Sequence, residues 1–220
     1  SSATAIKVYN LPNPCSTAPA SNGISHAAAC GLGLNRKTGR VFATVTCKGP
    51  TNSDLIGKVY SFDPKGSTAQ TMTDELTINL NIARPGVDSI YPAEFWGKSG
   101  DDDITWEPWL SNIDFVEEPG TPERIIVFAK NRKGDVLDLS PFVSAGVIFT
   151  GCKNSSGQWQ LTDNSYGCPS TGTYSAATLS GQNMETLMKN NKAGYYNYHG
   201  AEGVAASGAG FAIPGFTELA

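Results

Sequence analysis

Three consecutive carboxylates, Asp101, Asp102 and Asp103, form the densest acidic group in the sequence. Ca²⁺ takes about six to eight oxygen ligands, and a loop of aspartates can supply several of them. Asp88 or Glu107 could add further oxygens. The spacing does not match an EF-hand loop, and a solvated acidic loop is the alternative interpretation. Calcium is the one cofactor that these residues suggest.

The two histidines each have a polar neighbour that could form an acid–base or nucleophilic pair. Ser25 precedes His26, and Glu202 follows His199. No Gly-x-Ser-x-Gly elbow occurs, and a catalytic triad depends on spatial proximity that spacing does not give. No pair stands out for glycoside hydrolysis among the acids Glu94, Asp114, Glu117 and Glu118. We predict that the protein is not an enzyme, with a carbohydrate-active hydrolase as the alternative.

Aromatic side chains are better binding candidates than the acids or histidines. Rings on loops at the mouth of a β architecture can stack on sugars or anchor a protein partner. The alternative is that these rings fill the core between sheets. The candidate rings are Trp96, Trp106, Trp109, Tyr195, Tyr196 and Tyr198.

The five cysteines predict disulfides in an oxidising compartment, which places the protein outside the cell or at its surface. They lack CxxC spacing, and only two histidines exist to complete a metal site, so disulfides are the better interpretation. Cys152 and Cys168 bracket a short strand and turn, and we predict that they pair. Among Cys15, Cys30 and Cys47 one residue has no partner in the chain, and the pairing stays open.

One N-glycosylation sequon is present, Asn154-Ser155-Ser156, in a polar loop that follows Cys152. It predicts a glycan on Asn154, and the alternative is a chance triplet.

Composition excludes two classes of partner. The net charge is −4 and charged residues make up 16% of the chain, so no basic surface is available for nucleic acid. No apolar run is long enough for a membrane-spanning helix, so we predict no membrane insertion. The chain has no initiator Met or signal peptide, which fits a processed protein or a piece of a longer one.

Strand patterns separated by turn residues recur along the chain, which contains 24 Gly and 13 Pro. A meander is predicted from Ile24 to Pro64, with a fourth strand at its outer edge. Helix should be scarce, the clearest candidate is Gly181 to Asn191, and a last strand begins near Gly208. The predicted strands are Ala5 to Tyr9, Cys30 to Leu34, Val41 to Cys47, Gly57 to Phe62, Thr73 to Asn81, Leu110 to Phe115, Ile125 to Phe128, Ala145 to Cys152 and Gln158 to Leu161.

Alternation within these strands predicts which side chains share a face. Leu76, Ile78 and Leu80 line one face of the outer strand. In the later strand, Leu110 is expected to share a face with Asn112 and Asp114, opposite Ser111, Ile113 and Phe115.

These patterns predict an all-β fold of antiparallel meanders in one module, residues 1–220. Repeated four-stranded meanders are typical of a β-propeller, although the copies are spaced more widely than propeller repeats. An incomplete propeller accommodates this spacing, and a β-sandwich is the alternative.

Several stretches resemble a propeller-like segment of large secreted or surface proteins that also carry Cna-B-like, serine-aspartate-repeat-type domains. The similar stretches are Asn13 to Cys15, Gly39 to Cys47, Gly57 to Pro64, Glu107 to Phe115, Ile125 to Asp135, Cys152 through Trp159 to Cys168, and Gly208 to Gly215. Cys15 and Cys47 fall within them and are named as disulfide candidates, whereas Cys30 has no counterpart.

The resemblance implies a non-catalytic structural or adhesive module of an extracellular surface protein or appendage. In that family the last stretch is the inner strand of another blade. Its open edge would pair with Ala5 to Tyr9 or with another chain by strand addition. The expected partners are other copies of the protein, other surface proteins or glycans, and a lectin-like glycan binder is a further alternative.

Overall fold

The structure is a computed structural model, and it describes part of the chain. The described residues are 7–15, 26–67, 69–82, 84–85, 90–91, 93, 95–96, 107–117, 122–132, 147–162, 205–207 and 210–212.

Strands make up most of the regular structure in these residues, with one short 3₁₀ helix at Asn52–Asp54. The strands are β1 (Ala27–Asn35), β2 (Arg40–Cys47), β3 (Ile56–Phe62), β4 (Thr73–Asn79), β5 (Arg84–Pro85), β6 (Ile90–Tyr91), β7 (Pro108–Val116), β8 (Arg124–Asn131), β9 (Val147–Lys153), β10 (Trp159–Thr162), β11 (Ala205–Ser207) and β12 (Gly210–Ala212).

Two antiparallel four-stranded sheets contain most of these strands. The first sheet has the order β1-β2-β3-β4, and the second has the order β7-β8-β9-β10. Each is therefore a meander of strands consecutive in sequence, which confirms the predicted all-β class. β4 lies at the outer edge of the first sheet, as its alternation predicted. Two smaller sheets pair β5 with β6 and β11 with β12.

The two large sheets share one hydrophobic core. Phe42, Leu76 and Ile78 line it from the first sheet, and Ile113 and Phe115 line it from the second. The rings of Phe42 and Phe115 meet edge to face, with centroids 4.8 Å apart. Burial of β-branched and aromatic side chains between two pleated surfaces is what stabilises this arrangement.

Glycines on β1 allow a close approach of the two sheets. A Cβ atom on Gly33 would lie 2.7 Å from the carbonyl oxygen of Ile113, and one on Gly31 would lie 2.9 Å from the backbone nitrogen of Asn112. Neither position has room for a larger residue unless the backbone of β7 moves. β1 and β7 therefore lie in direct contact because the sequence supplies Gly at these two positions.

The predicted alternation within β7 is wrong at one point. The pairing with β8 shifts register between Leu110 and Asn112, and a bulge of this kind changes the face that the following residues occupy. Leu110 therefore joins Ile113 and Phe115 in the core, not Asn112 and Asp114.

The predicted strand from Ala5 to Tyr9 is also wrong in its described part, because residues 7–15 contain no strand. Tyr9 and Leu11 instead pack on the other face of the first sheet, against a second cluster. The Tyr9 hydroxyl donates a hydrogen bond of 2.7 Å to the carbonyl oxygen of Pro64. Side-chain packing on the face of the sheet replaces pairing at its edge. The second cluster consists of Val45, Tyr60, Phe62 and Met72.

The expected last strand near Gly208 corresponds to β12, and the preceding strand β11 was not predicted. The helix expected at residues 181–191 lies outside the described residues. Within the described part of the chain, no helix is long and apolar enough to cross a membrane.

Candidate functional site

The two large sheets repeat the same pairing pattern. In each sheet, the first and second strands form a hairpin whose pairing runs from the turn up to a shift in register. That shift falls at the same place in the two hairpins. The shift lies between Ala29 and Leu32 in β1 and between Leu110 and Asn112 in β7. Counted from the turn, Leu34↔Val41 corresponds to Phe115↔Ile125, and Leu32↔Ala43 corresponds to Ile113↔Val127.

Corresponding side chains differ sharply in exposure. Ile113 and Phe115 are 3% and 6% exposed, because they pack against the first sheet. Leu32 and Leu34, at the equivalent positions of β1, are 63% and 53% exposed. We name these two side chains the Leu32–Leu34 strip. The strip is the part of the first sheet that corresponds to a buried interface in the second.

The face that holds the strip is apolar across several strands. Leu34 pairs with Val41, and Leu32 pairs with Ala43, so these side chains share that face. Further along the same face, Tyr9 and Leu11 cover the second cluster. The segment at residues 7–15 thus covers the β2–β3 part of the face and leaves the strip on β1 exposed.

Hydroxyl groups of β2 satisfy the backbone of β7 at its bulge. The Thr44 hydroxyl accepts a hydrogen bond from the Gly31 amide at 2.7 Å and donates one to the Leu110 carbonyl at 3.1 Å. The Thr46 hydroxyl accepts from the Leu110 amide at 2.9 Å. Both backbone groups of Leu110 are therefore bonded to the first sheet, which removes the cost of burying them.

Trp96, one of the predicted binding aromatics, connects the two sheets. Its backbone amide donates to the Lys48 carbonyl at 2.9 Å, just after β2. Its indole Nε1 donates to the Pro108 carbonyl at 3.0 Å, at the start of β7. Its ring packs against Trp109 with centroids 5.9 Å apart. Trp96 thus links the end of β2 to the start of β7 and has a structural role.

Cations of the chain itself lie over both indole rings. Lys48 and Arg132 lie 5.9 and 5.1 Å from the Trp96 ring centroid, and Lys130 lies 4.9 Å from that of Trp109. A sugar would have to displace these cation–π contacts before it could stack. The Nε1 atom of Trp109 is the one buried side-chain nitrogen or oxygen without a hydrogen-bond partner among the described residues.

The guanidinium of Arg132 also forms an ion pair of 2.6 Å with Glu107, whose side chain is buried. The Glu107 amide donates to the Asn131 side chain at 2.9 Å. These bonds hold the start of β7 against the end of β8. Glu107 therefore serves the fold at this edge.

No family model, curated protein or solved structure matches this chain. The likeness to propeller-like segments of surface proteins therefore stays a prediction.

The outer strands of the two sheets enclose a groove of about 660 Å³ between β4 and β10. Asp74 and Glu75 line it, yet both carboxylates already have partners. Asp74 forms an ion pair of 2.6 Å with Lys58, and Glu75 accepts a hydrogen bond from the Ser61 hydroxyl. The groove is therefore lined by polar side chains, but its two carboxylates already bond to other residues of the first sheet.

The other acid and histidine candidates in the described residues each have a hydrogen-bond partner within the fold. Asp114 accepts a hydrogen bond from the Phe115 amide, and Glu117 accepts one from the Lys37 amide. The carbonyl of His26 accepts from the Lys48 amide next to β1. The remaining candidates, Ser25, Glu94, Glu118, His199 and Glu202, lie outside the described residues.

The metal candidates Asp101, Asp102 and Asp103 also lie outside the described residues, as does Asp88. Within the described ranges, no group of three or more His, Cys, Asp or Glu side chains is placed to hold a metal ion. Of the aromatic candidates, Trp106, Tyr195, Tyr196 and Tyr198 lie outside the part of the chain that the structure describes.

The cysteines adopt two states. Cys15 and Cys47 form a disulfide with Cα atoms 5.4 Å apart. Cys152 is also disulfide-bonded, and its predicted partner Cys168 lies outside the described residues. Cys30 is free and exposed. Desolvation by surrounding atoms raises the pKa of the Cys30 thiol, and the charge of Lys130 offsets part of that rise.

Asn154 lies in the turn between β9 and β10. Its Oδ1 accepts hydrogen bonds of 3.0 Å from the amides of Ser156 and Gln158. A glycan would attach to Nδ2, an atom that takes no part in those two bonds. Ser155 and Ser156 are exposed, so the turn presents the sequon at the surface.

Proposed function

We propose that the chain is a non-catalytic structural or adhesive module of an extracellular surface protein or appendage. It acts through protein–protein contacts made by the faces of its sheets. The observation that carries this proposal is the Leu32–Leu34 strip, an exposed apolar surface whose counterpart in the second sheet is an interface. Exposed apolar surface of this kind is typical of interaction sites.

We further propose that the two sheets are blades of a propeller-like array. Equivalent strands face each other, since β1 lies against β7 and β4 lies near β10. The first strands are in direct contact through glycine, whereas the groove opens between the fourth strands. The space between the two sheets is therefore a wedge, closed where the first strands touch and open between the fourth strands. This shape supports an arrangement of the sheets as blades around an axis.

Consecutive strands within each sheet also favour this arrangement over a β-sandwich. Greek-key sandwiches exchange strands between their two sheets. Here each sheet is complete in one continuous run of sequence, from β1 to β4 and from β7 to β10.

An extracellular location is supported by the disulfides. A bond between Cys15 and Cys47 and a second at Cys152 persist in an oxidising compartment and are rare in the reduced cytosol.

Fractionation from the native source under non-denaturing conditions tests the proposed function. We expect the chain in an extracellular or surface fraction, in an assembly much larger than its own 23.2 kDa. Recovery as a free species of that mass, together with turnover of chromogenic glycosides, would instead establish the carbohydrate-active alternative. Binding to a glycan array by the free species would establish the lectin-like alternative.

A further inference from the structure

We propose that Lys153 and Asn35 form an isopeptide bond within the chain, with Glu123 as the group that transfers protons between their nitrogens. The bond joins the end of β9 in the second sheet to the end of β1 in the first. The reaction takes place once in each molecule, and it is independent of the contacts proposed for the sheet faces.

The carboxylate of Glu123 connects the two reacting side chains. Its Oε2 accepts a hydrogen bond of 2.9 Å from the Lys153 ammonium, and its Oε1 accepts one from the Nδ2 of Asn35. Glu123 directly precedes β8, and it lies beside Lys153 because the neighbouring residues Arg124 and Cys152 pair across the two strands. The amine and the amide are therefore each one hydrogen bond away from the same carboxylate.

The other end of the Asn35 amide is bonded to its own turn. Oδ1 accepts from the backbone amide and from the hydroxyl of Thr38, both at 2.9 Å. Donors at Oδ1 and an acceptor at Nδ2 fix which atom is the oxygen. Such bonds are common for Asn in turns, and here the same two donors would stabilise negative charge on Oδ1 when an amine adds to the amide carbon.

The site is buried on the side of the amide and the acid. Asn35 is 0% exposed, and the side chains of Glu123 and Lys153 are 8% and 32% exposed. Burial favours transfer of the ammonium proton to the carboxylate, because both groups become neutral. The Trp159 ring, 4.8 Å from the Lys153 Nζ, favours the charged amine, so we expect a slow reaction. The partly exposed lysine rotates to bring Nζ from the carboxylate to the amide carbon.

The reaction is an exchange of one amide for another. Glu123 takes a proton from the ammonium, and the neutral amine of Lys153 adds to Cγ of Asn35. The carbonyl electron pair moves onto Oδ1. Glu123 then protonates Nδ2, the Cγ–Nδ2 bond breaks, and ammonia leaves. The excess proton on Nζ passes to that ammonia, so the products are the Lys153–Asn35 amide, one ammonium ion and the original carboxylate.

Intact mass spectrometry of the full-length chain, produced without glycosylation and fully reduced, tests the proposal. Lys153→Arg keeps a positive charge but removes the amine, and Glu123→Gln keeps the shape but removes the proton acceptor. Lys58→Arg is the matched control, because Lys58 also forms an ion pair across strands, 2.6 Å from Asp74. Circular dichroism establishes that each protein is folded.

The wild type and Lys58→Arg should each be lighter than their sequence mass by one ammonia. Proteolysis should release a pair of peptides joined through Asn35 and Lys153, identified by tandem mass spectrometry. Lys153→Arg and Glu123→Gln should have their full sequence masses and give no joined peptides.

A folded wild type at its full sequence mass would overturn the proposal, whether or not the variants fold. Loss of ammonia without joined peptides, as from a succinimide at another asparagine, would also overturn it, as would a loss that persists in Lys153→Arg. Joined peptides at the wild-type level in Glu123→Gln would exclude Glu123 as the proton carrier.

Discussion

The hydroxyl of Thr44 donates a hydrogen bond of 3.1 Å to the carbonyl oxygen of Leu110, 66 positions away in sequence and in the other sheet. The same hydroxyl accepts from the Gly31 amide, and Thr46 satisfies the Leu110 amide. The bulge of β1 and the bulge of β7 are thus both hydrogen-bonded to the buried pair Thr44 and Thr46. A polar link of this kind fixes the register of the two sheets, which apolar packing alone specifies less strictly.

Replacement of Thr44 by Val should lower the free energy of unfolding by about 1–3 kcal/mol, because the Gly31 amide and the Leu110 carbonyl lose their buried partner. The shapes of the two side chains are nearly the same, so the change reports the hydroxyl. Denaturant unfolding measures the loss. Thr77→Val is the control, because Thr77 is an exposed strand residue of the first sheet. Equal stability of the two variants would show that the Thr44 bridge is absent.

Replacement of Gly33 by Ala should destabilise the protein by about 1–3 kcal/mol, because the added methyl group overlaps the Ile113 carbonyl and pushes β7 away from β1. Thermal unfolding is the measurement. Gly39→Asn is the control, since Gly39 has φ of 70° with nothing within 4 Å, and Asn tolerates that conformation. If Gly33→Ala is as stable as Gly39→Asn, the close approach of the two strands is contradicted.

Removal of the Cys15–Cys47 disulfide by a Cys15→Ala, Cys47→Ala double variant should cost about 3–4 kcal/mol by the loop-entropy relation for a sequence separation of 32. The segment with Tyr9 and Leu11 should then release the second cluster. Denaturant unfolding and binding of a hydrophobic dye both report this change. Cys30→Ser should have neither effect, because Cys30 is free and exposed. Unchanged dye binding in the double variant would mean that the disulfide does not hold the cover.

The alkylation rate of Cys30 should rise with pH around a midpoint above that of an ordinary thiol. Desolvation raises the pKa of this thiol, so less of the reactive thiolate is present at neutral pH. Lys130 stabilises the thiolate, so Lys130→Gln should move the midpoint further upward. The exposed Lys37 provides the control Lys37→Gln. A downward or absent shift in Lys130→Gln would contradict the placement of Lys130 beside Cys30.

Expression through a eukaryotic secretory pathway should add an N-linked glycan to Asn154. Ser156→Ala should abolish the glycan while the Ser156 amide still donates to Asn154, so the turn is kept. Ser155→Ala preserves the sequon and should remain glycosylated. Mass spectrometry before and after enzymatic deglycosylation is the measurement. An unmodified wild type would refute the glycosylation prediction.

Much of the strand order follows from local patterns in the sequence. The alternation of Leu76, Ile78 and Leu80 placed β4 at the outer edge, and the turn near Gly39 placed the first hairpin. These features depend on residues close in sequence, where periodicity and turn chemistry act directly.

The contacts between sheets could not be predicted in the same way. The bulge at β7 has no marker in the sequence, and it reversed the expected face of Leu110. Ala5 to Tyr9 is a strand-like run, yet Tyr9 packs on Phe62, with ring centroids 4.5 Å apart. The role of Gly31 and Gly33 becomes visible only when β7 lies against them. Long-range packing decides all three, and local propensity carries no information about it.

The stacking of β1 on β7 is the relationship on which the shared core and the exposed position of the Leu32–Leu34 strip depend. Nuclear Overhauser effects in isotope-labelled protein test it directly. We expect cross-peaks from the α-protons of Gly31 and Gly33 to Asn112 and Ile113, besides those from Gly33 to Phe42 within the first sheet. Cross-peaks within the sheet but none between β1 and β7 would contradict the account.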